Sequence, residues 1–170
     1  MRRKAFAATG LGAVGALLLA ACSSQALVDM STPLSDGTFT GSSNPDEQGA
    51  VGTVKITVAG GRIVDTSYQT LTATGAVKDE SYGMGTSGAG TNSDYYERAQ
   101  AAVRSYPQYS AKLTEVQDPT KVDVISGATV AHSQFLQAAL RAVYAAQGVP
   151  DDGRADSVNM PSLNLDDENF

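Results

Sequence analysis

The chain has 170 residues, 42% hydrophobic and 18% charged, with 17 Gly, no Trp and a formal net charge of -6. That length predicts one domain with tails, and the apolar fraction is enough for a core. The acidic balance argues against a general nucleic-acid binder, and the single cysteine excludes an internal disulfide or a cysteine-based metal site.

Residues 1–21 read as a secretory signal. Arg2, Arg3 and Lys4 make a positive start, and Ala5 to Ala21 carries no charge. The run is short for a membrane span and is interrupted by Gly10, Gly12 and Gly15. It ends in Leu19-Ala20-Ala21-Cys22, which resembles the lipobox of bacterial lipoproteins. The resemblance implies that Cys22 is lipidated and becomes N-terminal after cleavage. Three of the 12 Lys and Arg lie in the signal, which leaves 9 against 18 Asp and Glu. The expectation is an exported acidic domain, held by lipid on the extracytoplasmic face of the membrane. Residues 22–35, polar and containing Pro33, read as the lipidated linker.

Gly37 to Ser42 is rich in β-favouring residues and predicts a strand. Asn44-Pro45-Asp46-Glu47 is a turn or loop. From Val51 to Val58, Val54, Ile56 and Val58 alternate with Lys55 and Thr57, the period of a half-buried strand. Ala59-Gly60-Gly61-Arg62 signals a tight turn, and Ile63 to Leu71 is the return strand, with Val64 and Tyr68 on one face. The three strands predict an antiparallel meander. Thr72 to Asn92 is glycine-rich and reads as a surface loop. Its Gly83-Met84-Gly85 is not a dinucleotide fingerprint, because no strand directly precedes it.

Asp94, with Glu97 three residues on, predicts a helix start. Tyr95, Ala99, Ala102, Val103 and Tyr106 form an apolar stripe that Pro107 should end or kink. Tyr109, Leu113 and Val116 continue a stripe beyond it. Val122 to Ile125 reads as a short strand. A final helix is expected from about Val130 to Gln147, with Phe135, Leu136, Ala139, Leu140 and Val143 buried, stopped by Gly148 and Pro150. Residues 149–170, with six acidic residues and one Arg from Asp151 onward, read as a disordered acidic tail. The fold class expected is α+β, a small antiparallel sheet packed with helices.

Between the last strand and the last helix lies Asp123-Val124-Ile125-Ser126-Gly127-Ala128-Thr129. Gly127 and Ala128 let backbone approach closely, Ser126 and Thr129 supply hydroxyls, and Thr129 falls at a helix start, where free N–H groups favour an anion. That suits a phosphate ester. The pattern Asp-x-x-Ser-Gly-Ala-Thr resembles the flavinylation motif of FMN-binding domains, found in ion-pumping oxidoreductase subunits and bacterial surface lipoproteins. The likeness continues through Asp36-Gly37-Thr38-Phe39-Thr40-Gly41, Val54-Lys55-Ile56-Thr57-Val58 and Gly61-Arg62-Ile63-Val64, and so spans a domain of residues 36–148.

The resemblance implies an FMN-binding-domain-like fold in which a separate magnesium-dependent flavin transferase moves FMN from FAD onto Thr129 as a phosphoester. Asp123, Ser126, Gly127 and Ala128 form the recognised frame. It implies an electron carrier, without a substrate of its own, between membrane-bound redox partners. The glycine-rich stretch then becomes a flap, with Tyr82 or Met84 against the flavin. Family members often carry a second hydroxyl two residues after the acceptor, where this chain has Ala131, which implies one donor fewer for the phosphate.

No catalytic constellation stands out. His132, the one histidine, adjoins Ser133 in a geometry unsuited to a nucleophile and base. It reads as a solvated first-turn residue, with a phosphate or flavin contact as its second reading. Net negative charge could orient collisions with a basic partner. The alternative function is a flavin-free surface lipoprotein that binds a ligand or partner or is structural; a third is FMN bound without a covalent link.

Overall fold

In β2 (Val51–Ala59), Val54, Ile56 and Val58 are buried and Lys55 is exposed, as a strand with one wet face requires. β1 (Gly37–Ser42) and β3 (Arg62–Leu71) flank it, both antiparallel, in the order β1-β2-β3. Gly60 and Gly61 join β2 to β3 with φ of 60° and 71°, the positive pair a type I′ turn needs. This computed structural model describes residues 26–84 and 93–162. The signal segment, Cys22, residues 85–92 of the expected flap and the last eight residues lie outside that range.

Val64 departs from its expected place beside Tyr68. The ladder shifts between Thr57 and Val58, so that Thr57 faces Asp65 while Val58 faces Ile63. Val64 is the extra residue of a β-bulge. It is 53% exposed, and Ile63 is buried instead.

Both helices lie on the inner face of the sheet, and the architecture is α+β. α1 (Ser93–Val116) packs on β3, and α2 (Thr129–Gln147) crosses β1 and β2. At Gly41 the helix rests on bare backbone. A Cβ there would lie 2.1 Å from the Ala138 carbonyl oxygen and 2.5 Å from the Ala142 nitrogen. Ala138, Ala139, Ala142 and Ala146 of α2 are fully buried, and their size permits the approach. Among the described residues no helix is long and apolar enough to cross a membrane.

α1 runs unbroken through Pro107, where an end or kink was expected. A proline removes one helix hydrogen bond and costs about 3 kcal/mol. Burial of Tyr106, Tyr109 and Leu113 on one face offsets it. Side chains also serve nearby carbonyls: Gln108 donates to the Arg104 carbonyl at 2.9 Å and Ser110 to that of Tyr106 at 2.9 Å.

Three further expectations are corrected. Val122–Ile125 is extended but joins no ladder, because side chains take its backbone groups: the Ile125 N–H donates to the Tyr109 hydroxyl and the Val122 carbonyl meets the His132 ring. From residue 26 the expected linker lies on the last turn of α2. Ser35 donates to the Ala146 carbonyl at 2.8 Å, the Gln147 amide to the Asp29 carbonyl at 2.8 Å and the Tyr144 hydroxyl to the Leu27 carbonyl. Val28 and Leu34 join the core. The start of the expected tail is also packed. Arg141 binds Asp151 and Asp156, a 3-10 turn forms at Arg154–Ser157, and Ala155 is fully buried. Composition suggested disorder because acidic residues dominate there, but one arginine on α2 gathers two of them.

Gly41→Ala is expected to lower stability by about 3 kcal/mol, since neither backbone atom it meets can move aside freely. Gly60→Ala, in open space, should lose only the roughly 1–2 kcal/mol of a left-handed alanine. Urea unfolding of both variants checks this, and equal losses would deny the close approach any role.

Candidate functional site

The motif loop turns into α2 at Gly127, whose φ of 77° is left-handed and favours glycine. α2 then begins at Thr129 without a side-chain cap: the N-cap residue is Ala128, and no acidic residue occupies the first turn. Its first N–H groups therefore keep their capacity to donate, and the helix end carries partial positive charge.

Two phenols hold this helix start from beneath. The Tyr109 hydroxyl donates to the Ala128 carbonyl at 3.3 Å and accepts from the Ile125 N–H at 3.0 Å. The Tyr68 hydroxyl donates to the Ala131 carbonyl at 2.8 Å and accepts from the Thr70 hydroxyl at 3.2 Å. The Tyr109 ring stacks on Phe135 at 5.1 Å, and Tyr68 meets Phe135 edge-on at 5.3 Å. Burial pushes Tyr68 well above its ordinary range, raises Tyr109, and lifts Tyr106 to about 12. All three stay protonated through the physiological range, and Tyr68 and Tyr109 remain donors.

A cavity of about 310 Å³ opens beside this helix start. α2 contributes its first turn and Gln134, and the preceding loop contributes Gly127 and Ala128. α1 contributes Tyr95, Arg98, Ala99, Ala102 and Tyr106. Asp46, Gln48, Lys78 and Tyr82 close it from the two loops at one end of the sheet, between β1 and β2 and after β3. Tyr82 is held by its neighbours: its hydroxyl donates to Gln48 at 3.2 Å, and its carbonyl accepts from the Gln100 amide at 2.8 Å. Burial pushes Tyr95 to about 12.

One polar cluster is buried in this wall. Asp46 accepts the Gln48 and Ala50 N–H groups at 2.9 and 2.8 Å on Oδ1. Its Oδ2 accepts from Gln134 at 3.3 Å and lies 3.7 Å from the Lys78 ammonium. Among the described residues no three His, Cys, Asp or Glu side chains gather as a metal site would need.

Thr129, Gly127, Ala128 and Tyr82 thus line one cavity, Thr129 with its side chain exposed. Asp123 and Ser126 are exposed on the motif loop and do not line it. Met84 is 44% exposed and also outside it. His132 turns away. It is half-buried, 2.7 Å from the Val122 carbonyl and tilted against Tyr109 at 5.6 Å, so it fixes the extended segment and is neither solvated nor at the cavity. Ala131 lies on the cavity wall, and its carbonyl accepts from the Tyr68 hydroxyl.

Sequence reasoning passed over Asp46, Lys78, Gln134 and the Tyr109 hydroxyl. The available signal was the polar set Ser133, Gln134 and Gln137, which is buried within the apolar stripe of α2.

No family model matches the chain, and no curated protein does. Two solved structures, both structural genomics targets, resemble it. A crystal structure of a protein from Clostridium perfringens is 29% identical, covers 68% of this chain and 90% of its own, and superposes with a TM-score of 0.51. A solution structure from Clostridium thermocellum is 25% identical over 68% of this chain and 94% of its own, with a TM-score of 0.40.

Tyr109→Phe removes one hydroxyl that serves two backbone groups and should cost about 1–3 kcal/mol in thermal or urea unfolding. A second expectation concerns pH. The folded Tyr106 holds its proton to about 12, whereas the unfolded chain releases it near 10. Its contribution is complete below pH 10 and is lost as pH rises through 12. Urea unfolding of wild type and Tyr106→Phe across that window measures it, and the variant should show the shallower decline.

Proposed function

We propose that this chain is a membrane-anchored flavoprotein that relays electrons on the extracytoplasmic face, with FMN esterified to Thr129 and a lipid on Cys22. The observation that carries the reading is the junction of the motif threonine, an uncapped helix start and an aromatic-walled cavity. A phosphate ester on Thr129 would be held by the N–H groups of the uncapped first turn of α2, which favour an anion. The walls fit the remainder of the group. Tyr82, Tyr95 and Tyr106 offer ring faces and edges, Ala99 and Ala102 offer smooth surface, and Lys78 and Arg98 supply positive charge. A volume of about 310 Å³ lies at the lower end of the range for small-molecule sites.

In the loading step the Thr129 oxygen displaces AMP from FAD. Its bond to phosphorus forms, the pyrophosphate link breaks, and the hydroxyl proton leaves. The flavin supplies the redox chemistry. The chain's own residues bind it, orient it and exclude water, and the ester prevents its loss outside the cell. Exposure of Asp123 and Ser126 leaves the motif loop open to a transferase.

The test is intact mass of the exported chain made with an active flavin transferase, beside Thr129→Ala. The expected result is a gain of one FMN less one water, surviving denaturation and absent from the variant. An unmodified wild type, with the transferase active on another acceptor, would overturn the covalent reading and leave a flavin-free binding lipoprotein. Colour lost on denaturation would mean FMN held without the ester.

A further inference from the structure

Lys78 lines the cavity with its ammonium held only by long contacts. Its side chain is 9% exposed and that of Asp46 1%. The ammonium carries three N–H donors, yet its partners among the described residues are Asp46 Oδ2 at 3.7 Å and the Tyr82 ring, with the centroid 4.6 Å away. Neither is a hydrogen bond in geometry. Asp46 is served elsewhere, by two backbone N–H groups and the Gln134 amide. A lysine with a mostly buried stem whose ammonium opens onto a cavity, with donors to spare, favours an electron-rich or anionic group inside that cavity.

The position separates this receptor from the helix start. Gln134, bonded to the same Asp46 carboxylate, follows Thr129 by five residues, about 7.5 Å along the axis. Thr129 and Lys78 line the same cavity, so one ligand can meet both.

We infer that Lys78 sets the charge preference of the bound ring, stabilising its negatively charged form over its neutral form. The inference rests on the flavin-carrier reading. Uptake of two electrons and one proton from an external low-potential donor converts the neutral ring into a monoanion, with the charge on its pyrimidine edge. Lys78 stabilises the product of that step more than its reactant and so raises the reduction potential.

The full-length chain, loaded and checked by mass, is titrated with dithionite against indicator dyes. Lys78→Gln is expected to shift the redox equilibrium roughly ten- to hundredfold toward the oxidised form, about 30–60 mV for a two-electron couple. Lys78→Arg, which keeps the charge, should stay close to wild type. Free FMN titrated onto unloaded chain gives a second readout. Lys78→Gln should weaken binding of reduced FMN at least tenfold more than binding of oxidised FMN.

Equal potentials in wild type and Lys78→Gln, or equal losses for both forms of free FMN, would overturn the inference while leaving the carrier reading standing. If no mass is gained at Thr129, the covalent reading fails, and the free-FMN arm still decides on Lys78. Wild type that takes up no FMN in either way overturns both. Circular dichroism checks folding. If Lys78→Gln unfolds because Asp46 is left unpaired, the double variant with Asp46→Asn carries the same comparison.

Discussion

The first turn of α2 is positioned by hydroxyls that reach it from the two other layers of contact, Tyr68 from β3 and Tyr109 from α1. A buried phenol costs free energy unless its O–H is paired, and here the partners are carbonyls of the helix start itself. The pairing works only because the β-bulge at Val64 breaks the parity of β3. Ile63 and Tyr68 sit five residues apart, an odd spacing that puts them on opposite faces of a regular strand. With the extra residue between them, both point inward. The register of a hairpin thus decides whether the motif loop has a foundation.

Charge in the cavity runs against the charge of the chain. A protein with a net charge of -6 places Lys78 and Arg98 in one small enclosure. Lys78 meets Asp46 only at 3.7 Å, and ion pairs in such settings are weak evidence for stability, so the pair is better read as part of a site. The three further donors to Asp46 keep the carboxylate in place when the ammonium turns to something else.

Much of the fold was legible because its signals are local. Alternation in Val51–Val58, paired glycines at 60–61 and the stripe of α2 each depend on residues close in sequence. What stayed hidden depends on distant pairing. The bulge at Val64 is visible only against β2. The loss of the strand at Val122–Ile125 depends on Tyr109 and His132, each on a different helix. The tail looked disordered because Asp151 and Asp156 read as surplus charge until Arg141 is seen beside them. At the site, Thr129 was found by its motif, whereas Asp46, Lys78 and Gln134 converge from three separate segments with no shared spacing.

The docking of residues 26–35 on the last turn of α2 has a consequence for reach. That turn lies at the far end of a 19-residue helix from Thr129, about 28 Å away. If Cys22 carries the proposed lipid, the five residues to Leu27 span at most about 18 Å. On that proposed attachment the docked segment would be a short leash, with Thr129 at the end of α2 away from the anchor. A partner tethered nearby would then meet the site at an effective concentration on the order of millimolar, and a brief, weak encounter would suffice.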